Sequence, residues 1–179
     1  MKYDTLIIGG GLAGLVCGIR LQEAGQRCAI LSAGQSALHF SSGSFDLLNR
    51  LPSGEEVIHP LDAISSLPAK HPYRLIGEDR VKRYAACVPE WFKQSVGVDL
   101  HGEVNRNHYR LSPIGIAKQA WMSFDEFTPV FEPSAVPNEK VLLVNFEGFL
   151  DFYPKFITDS LIQNGGRCCV KLVNLPAVE

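Results

Sequence analysis

The chain has 179 residues, enough for a domain with a real core, and its 46% hydrophobic and 20% charged residues match ordinary soluble globular proteins. A net charge of −2 gives no electrostatic reason to expect nucleic acid or an anionic membrane surface as partner. The 5 cysteines include no C-x-x-C pair, which counts against a zinc ribbon or an iron–sulfur cluster held by this chain, and their odd number counts against a disulfide framework.

Tyr3 to Ile8 reads as a buried parallel strand and Leu12 to Ala24 as the helix that follows, with Gly25 placed to stop it. The apolar stretch from Thr5 to Ile19 is too short to span a bilayer, and no transmembrane segment is expected. Arg27 to Leu31 returns as a second strand, completing βαβ in about thirty residues. Ser32 to Ser44 is rich in Ser, Gly, Gln and Ala and reads as an extended loop. From Arg50 to Pro137 the character changes, with most of the prolines and aromatics. The spacing there predicts an amphipathic helix over Asp79 to Ser95, kinked or divided by Pro89, and short strands or a hairpin in Val98 to Arg110 and Ile114 to Met122. Pro129, Pro133 and Pro137 mark the way out.

Lys140 to Asn145 is again an apolar strand. Gly148 to Asn164 has helical spacing, although Pro154 is tolerable only near a first turn, so the helix proper starts late. Gly165-Gly166 ends it, and Cys168 to Val173 is a further strand. The fold class expected is α/β: a Rossmann-like domain made of residues 1–49 and 138–179, interrupted by a smaller α+β insertion at 50–137 that serves as a substrate or cap region.

Gly9-Gly10-Gly11-Leu12-Ala13-Gly14 sits at the first strand-to-helix turn. A G-x-G-x-x-G there is a phosphate site made of backbone: Gly9 permits the turn, Gly11 lets the main chain approach a diphosphate, and Gly14 lets the helix pack closely on its strand. The N–H groups of the helix start, at Leu12 and Ala13 as well, face the anion. Dinucleotide sites usually carry an Asp or Glu at the end of the second strand, about twenty residues on, for the adenosine ribose. Here Ser32 holds that place, and no Asp or Glu lies between Glu23 and Asp46. The first turn thus reads phosphate while the second strand does not read adenosine, which fits FMN better than NAD or FAD. FAD remains the alternative.

In the loop beyond, Ser41, Ser42, Gly43 and Ser44 stand where strand ends converge on a ligand crevice, and they read either as ligand contacts or as a solvated serine loop. His39 is a titratable group beside them and equally a hydrogen-bonded loop histidine, so no catalytic residue is assigned. Arg80, Lys82 and Arg83 read as a solvated helix face or an attractor of a phosphorylated substrate. Trp91 and Trp121 read as core or interface, and Asp151 as an acid in the first turn of its helix.

The opening Asp4 to Leu15 looks like many flavoproteins. Gln35-Ser36-Ala37-Leu38-His39-Phe40-Ser41-Ser42-Gly43-Ser44 followed by Asp46-Leu47-Leu48 narrows this, with His71-Pro72-Tyr73, Ser112-Pro113-Ile114-Gly115 and Gly148 to Phe152 in support. Together they resemble the B-subunit family of anaerobic glycerol-3-phosphate dehydrogenases. The resemblance implies an FMN-dependent component of a complex that oxidises sn-glycerol 3-phosphate to dihydroxyacetone phosphate. It implies an FAD-bearing sister subunit and an iron–sulfur membrane-anchor subunit that passes electrons to quinone, placing the chain in the cytoplasm at the inner face of the membrane. It makes Ser41 to Ser44 flavin contacts. A non-catalytic electron-relay or scaffolding role is the alternative. Members of that family run well past residue 179, which implies that this chain is an N-terminal portion lacking the C-terminal part that closes over the flavin.

Overall fold

The computed structural model describes residues 2–41, 43–112, 115–124 and 140–174. The chain divides into two compact units, Met1–Ser42 and Gly43–Glu179.

In the first unit, β1 (Thr5–Ile8) and β2 (Cys28–Leu31) pair in parallel from Thr5↔Cys28 to Ile8↔Leu31, joined by α1 (Leu12–Glu23). Strand alternation sends Ile7 toward the helix and turns Leu6 and Ile8 to the other face. Ile7 and Ile30 pack beneath Gly18, the buried residue of α1, where even a methyl group would come within 3.4 Å of both. The expected strand–helix–strand order is present. Its first strand starts later than expected, at Thr5; just ahead of it the Asp4 N–H donates to the Arg27 carbonyl (2.9 Å) while the Arg27 N–H donates to the Asp4 carboxylate (2.9 Å). The loop after β2 is less extended than expected. It contains a 3-10 turn over Ala37–Phe40, capped by Ser36 Oγ, which accepts from the Leu38 amide.

The second unit builds a three-stranded antiparallel sheet from distant segments: β3 (Ser44–Phe45), β7 (Met122–Phe124) and β4 (Leu100–His101), in the order β3-β7-β4. A hairpin of β5 (His108–Leu111) and β6 (Ala117–Ala120) precedes β7. The predicted strand through Met122 is therefore two strands broken at Trp121. That indole is buried and its Nε1–H donates to the Val104 carbonyl (2.8 Å). Two helices cover the sheet side, α2 (Pro72–Ile76) and α3 (Glu78–Trp91). His71-Pro72 is a helix start: the imidazole Nδ1 accepts from the Tyr73 amide, and proline takes the first turn, where its missing N–H has no consequence. Pro89 does not divide α3, which runs through it to Trp91, and the helix loosens into a π turn over Phe92–Val96. Val81 and Ala85, four residues apart on one face of α3, close a core with Leu48, Val57, Leu61, Leu67 and Trp121 around the fully buried Ile64 and Met122.

Later in the unit, β8 (Lys140–Phe146) and β9 (Arg167–Val173) pair in parallel across α4 (Pro154–Gln163). Pro154 occupies the first turn of α4, as the late start requires, and Ile157 and Leu161 are its buried residues. Asp151 lies ahead of the helix, so the reading of it as a first-turn acid does not hold: that turn contains no acidic residue. The β5–β6 turn rests directly on α4, where Ser160 Oγ donates to the Gly115 carbonyl (2.7 Å). Ser42, Pro113, Ile114 and the prolines at 129, 133 and 137 lie outside the described residues. Among those described, no helix is long and apolar enough to cross a membrane.

Candidate functional site

The turn between β1 and α1 divides its labour among three glycines. Gly9 has φ of 111°, a conformation closed to residues with a side chain, and its N–H donates to the Leu31 carbonyl at 2.8 Å, tying the turn to the end of β2. A Cβ on Gly14 would stand 2.0 Å from the Gly9 carbonyl oxygen, so the helix and turn can touch only because that atom is absent. Gly11 is the reverse case. Its backbone is extended, at φ −78° and ψ −179°, and a Cβ there would meet nothing within 4 Å. The space over Gly11 is open, and its glycine is dispensable for the turn itself.

Gly11 is also the residue that caps α1, and it brings no side chain to the task; no side chain caps the helix. The first-turn amides of Leu12, Ala13 and Gly14 have no carbonyl one turn earlier to bond. Nor is there an acidic residue in that turn to neutralise the positive end of the helix dipole. An uncapped helix start facing open space fits a phosphoryl group, with N–H donors and partial positive charge in place. The residues present therefore fit the phosphate end of a nucleotide cofactor.

Ser32 is exposed and follows the last residue of β2 directly. Its hydroxyl donates to the Gly34 carbonyl (3.3 Å), and a Cβ on Gly10 would lie 3.1 Å from Ser32 Oγ. The structure thus brings Ser32 beside the glycine turn, with a neutral hydroxyl where a carboxylate would grip a ribose. Ser41 follows the 3-10 turn, its N–H donating to Leu38, and His39 is exposed in that turn with its ring edge-on to Phe40. Gly43 and Ser44 belong to the second unit. There the Gly43 carbonyl accepts from the Phe124 amide (3.0 Å), and Ser44 is paired in the sheet opposite Ser123. Arg80 and Arg83 are exposed on α3, and Lys82 is partly covered there.

Three residues that the sequence did not single out gather beside Ser44. On β7, Ser123 is fully buried and stands opposite Ser44 on one side and His101 on the other. His108 of β5 reaches it from outside the sheet, with Nε2 and Ser123 Oγ 3.0 Å apart. The rings of His101 and His108 meet edge to face at 5.2 Å. Burial holds His108 below its ordinary pKa, helped by the neighbouring His101 and Arg110 and opposed by the Trp121 backbone carbonyl. No periodicity marks these residues; only the strand pairing assembles them. A second buried polar cluster is architectural: Asn107 Nδ2 donates to the Leu48 and Val57 carbonyls, and Gln119 Nε2 also donates to Val57.

Residues 4–177 match the FAD binding domain family. Among curated relatives, the B-subunit of anaerobic glycerol-3-phosphate dehydrogenase from Yersinia enterocolitica is 43% identical, covering 100% of this chain and 43% of the relative. The protein of the same name from Actinobacillus pleuropneumoniae serotype 5b is 42% identical over 92% of this chain and 39% of the relative. That of Pasteurella multocida is 40% identical, again over 100% of this chain and 43% of the relative. No solved structure matches. The resemblance read from Gln35 to Leu48 is thereby established, while the chain spans less than half the length of these relatives. The chain belongs to the FAD binding domain family, an α/β flavin-binding family.

Proposed function

We propose that this chain carries the flavin-binding part of an oxidoreductase that oxidises sn-glycerol 3-phosphate to dihydroxyacetone phosphate. In this reading it works as the B-subunit of an anaerobic complex, together with an FAD-bearing sister subunit and an iron–sulfur membrane-anchor subunit that hands electrons to quinone. The proposal places it in the cytoplasm, held peripherally at the inner face of the membrane. The single observation that carries the reading is the uncapped start of α1 under the open space at Gly11.

The amides of Leu12, Ala13 and Gly14 would hold the phosphoryl end, with Gly9 and Gly11 shaping the approach, and Ser41 to Ser44 would contact the flavin itself. When bound, the flavin supplies the hydride-accepting chemistry. The residues of the chain position it and handle protons. We favour FMN because Ser32 offers a neutral hydroxyl and no acid lies between Glu23 and Asp46. FAD is the second reading, favoured by the family that residues 4–177 match. Residues 1–49 and 138–179 are proposed as one discontinuous nucleotide-binding domain around the 50–137 insertion. Both segments contain a parallel strand pair with a crossover helix, and Leu6, Ile8, Leu142 and Leu172 remain more than half exposed.

The test is the absorbance spectrum of the purified protein, with mass identification of the flavin released on heating. FMN supports the full reading. FAD overturns its mononucleotide half, and protein that takes up no flavin from excess FMN or FAD overturns the whole.

A further inference from the structure

Within the second unit, β4 is the weakest member of its sheet. It is 2 residues long, lies at the edge and pairs with β7 alone, through Leu100↔Phe124 and His101↔Ser123. The strap that carries it runs between two glycines of positive φ: Gly97 (77°), which ends the π turn, and Gly102 (134°). Gly102 lies against the core. A Cβ there would stand 2.6 Å from the Trp121 carbonyl oxygen, 2.9 Å from Met122 Sδ and 3.3 Å from His108 Nδ1. The strap thus covers Met122, which has no exposed surface. It touches His108 twice, through Gly102 and through the His101 ring, edge to face at 5.2 Å.

We propose that the strap from Gly97 to Gly102 is an acid-released latch: a proton on His108 lifts β4 from β7 and uncovers Met122, while the rest of the second unit stays folded. The proposal concerns the second unit alone and does not rest on the flavin reading.

With the strap closed, the site is built for a neutral ring. Nε2 shares a hydrogen bond with Ser123 Oγ (3.0 Å), whereas Nδ1 is buried without a hydrogen-bond partner among the described residues. A charged imidazole carries an N–H on both nitrogens, and lifting the strap gives the second one water. The groups acting on the charge of the ring come from each side. Burial is the largest and disfavours the proton, and His101 on β4 and Arg110 on β5 act in the same sense. The Trp121 backbone carbonyl ahead of β7 acts against them and is outweighed. Asp99, the carboxylate of the strap, pairs with Lys93 at the surface (3.0 Å) and is not among the groups acting on His108.

The sign follows from these groups. The pKa of His108 is lowered in the closed form and returns toward 6.5 once the ring is wetted, so the open form binds the proton better and acid favours opening. Between the closed-form pKa and the ordinary value, the open-to-closed ratio grows by up to about tenfold per pH unit. The hairpin that carries His108 is anchored elsewhere, by Asn107 to the Leu48 and Val57 carbonyls, by Gln119 to Val57 and by Ser160 to Gly115. The two-residue edge strand between its glycines is therefore the part that gives way.

Met122 is the reporter. The chain is treated with hydrogen peroxide at a series of values from about pH 7.5 to about pH 5, with free methionine in the same solution as standard, and Met122 sulfoxide is read by mass spectrometry. Amide exchange at Val81 and Ala85 of α3, corrected for its intrinsic pH dependence, reports whether the core stays closed. The expected result is that Met122 oxidation relative to free methionine rises by about threefold or more on acidification, with Val81 and Ala85 unchanged. His108→Gln should abolish the rise, and His101→Gln, which removes one charge opposing the proton, should lessen it. Gly102→Ala, whose strap cannot close, should oxidise fast at every pH. Met122 oxidation indifferent to pH overturns the proposal, as does the wild-type rise in folded His108→Gln. Exchange at Val81 and Ala85 that quickens in step with Met122 also overturns it, because the unit is then unfolding as a whole.

Discussion

Alanine at Gly11 and alanine at Gly14 differ by one methyl group from the same sequence, yet the geometry assigns them opposite consequences. At Gly14 the new Cβ would lie 2.0 Å from the Gly9 carbonyl oxygen, a backbone atom with no freedom to turn away. Helix and turn must part by about 1 Å, and overpacking of that kind costs about 1–3 kcal/mol. Each kcal/mol lowers Tm by roughly 2–4 °C in a protein of this size. At Gly11 the methyl meets nothing within 4 Å, and the backbone at φ −78° suits alanine. The weaker helix cap and the stiffer unfolded chain change stability in opposite directions and offset to within about 0.5 kcal/mol. What the methyl does is fill the space through which a phosphoryl oxygen reaches the amides. Losing one charge-assisted hydrogen bond there, at about 1.5–3 kcal/mol, weakens flavin binding at least about tenfold. The assay pairs thermal melting followed by circular dichroism with flavin titration followed by fluorescence. Gly11→Ala should melt like the wild type and bind flavin poorly, whereas Gly14→Ala should be impaired in both. Gly11→Ala with undiminished flavin affinity would refute the phosphate assignment, and Gly14→Ala with unchanged melting would refute the packing argument.

Three further outcomes follow from the second unit. Asn107→Leu removes the donor to the Leu48 carbonyl, while Val57 keeps Gln119; leaving one buried acceptor bare should cost about 1–3 kcal/mol in urea unfolding. Gly115→Ala puts a Cβ 2.7 Å from Ile157 Cα, so amide exchange in α4 should quicken with a loss of about 1–3 kcal/mol, while exchange in β1 and α1 stays unchanged. The low pKa of His108 makes the unfolded chain the better proton binder below 6.5. Stability is therefore full above that pH and falls as pH drops through 6.5 toward the folded-state pKa, and His108→Gln should flatten this slope in unfolding at a series of pH values.

Legibility followed the range of the interactions. The first unit could be read because its determinants are local: the glycine spacing, the apolar run of β1 and the glycine after α1 each act within a few residues, as does the late start at Pro154 in the second unit. Pro89 does not divide α3, because a proline removes one hydrogen bond and Val81 and Ala85 hold the rest of the helix in the core; the helix loosens into a π turn at Phe92–Val96. Trp121 broke a predicted strand because its indole found Val104, a partner no periodicity reveals. Asp151 was read as a first-turn acid from proximity alone, and the turn began beyond it. The Ser123–His108 pair was invisible for the same reason as the β3-β7-β4 sheet: residues 44, 101, 108 and 123 meet only through long-range pairing. The resemblance motifs partly acquired physical meaning. His71-Pro72-Tyr73 is a helix cap whose tyrosine hydroxyl donates to Leu47, and Gly115 is the flat contact of a turn on α4.

Amide hydrogen exchange at Leu12, Ala13 and Gly14, with and without a saturating flavin, reads the phosphate site at the atoms that would form it. Protection of these three amides on adding FMN, and its loss with riboflavin, which has the same ring and no phosphate, is the result expected. Equal protection by the two ligands, or none by FMN while it binds, would put the phosphoryl group somewhere other than the start of α1.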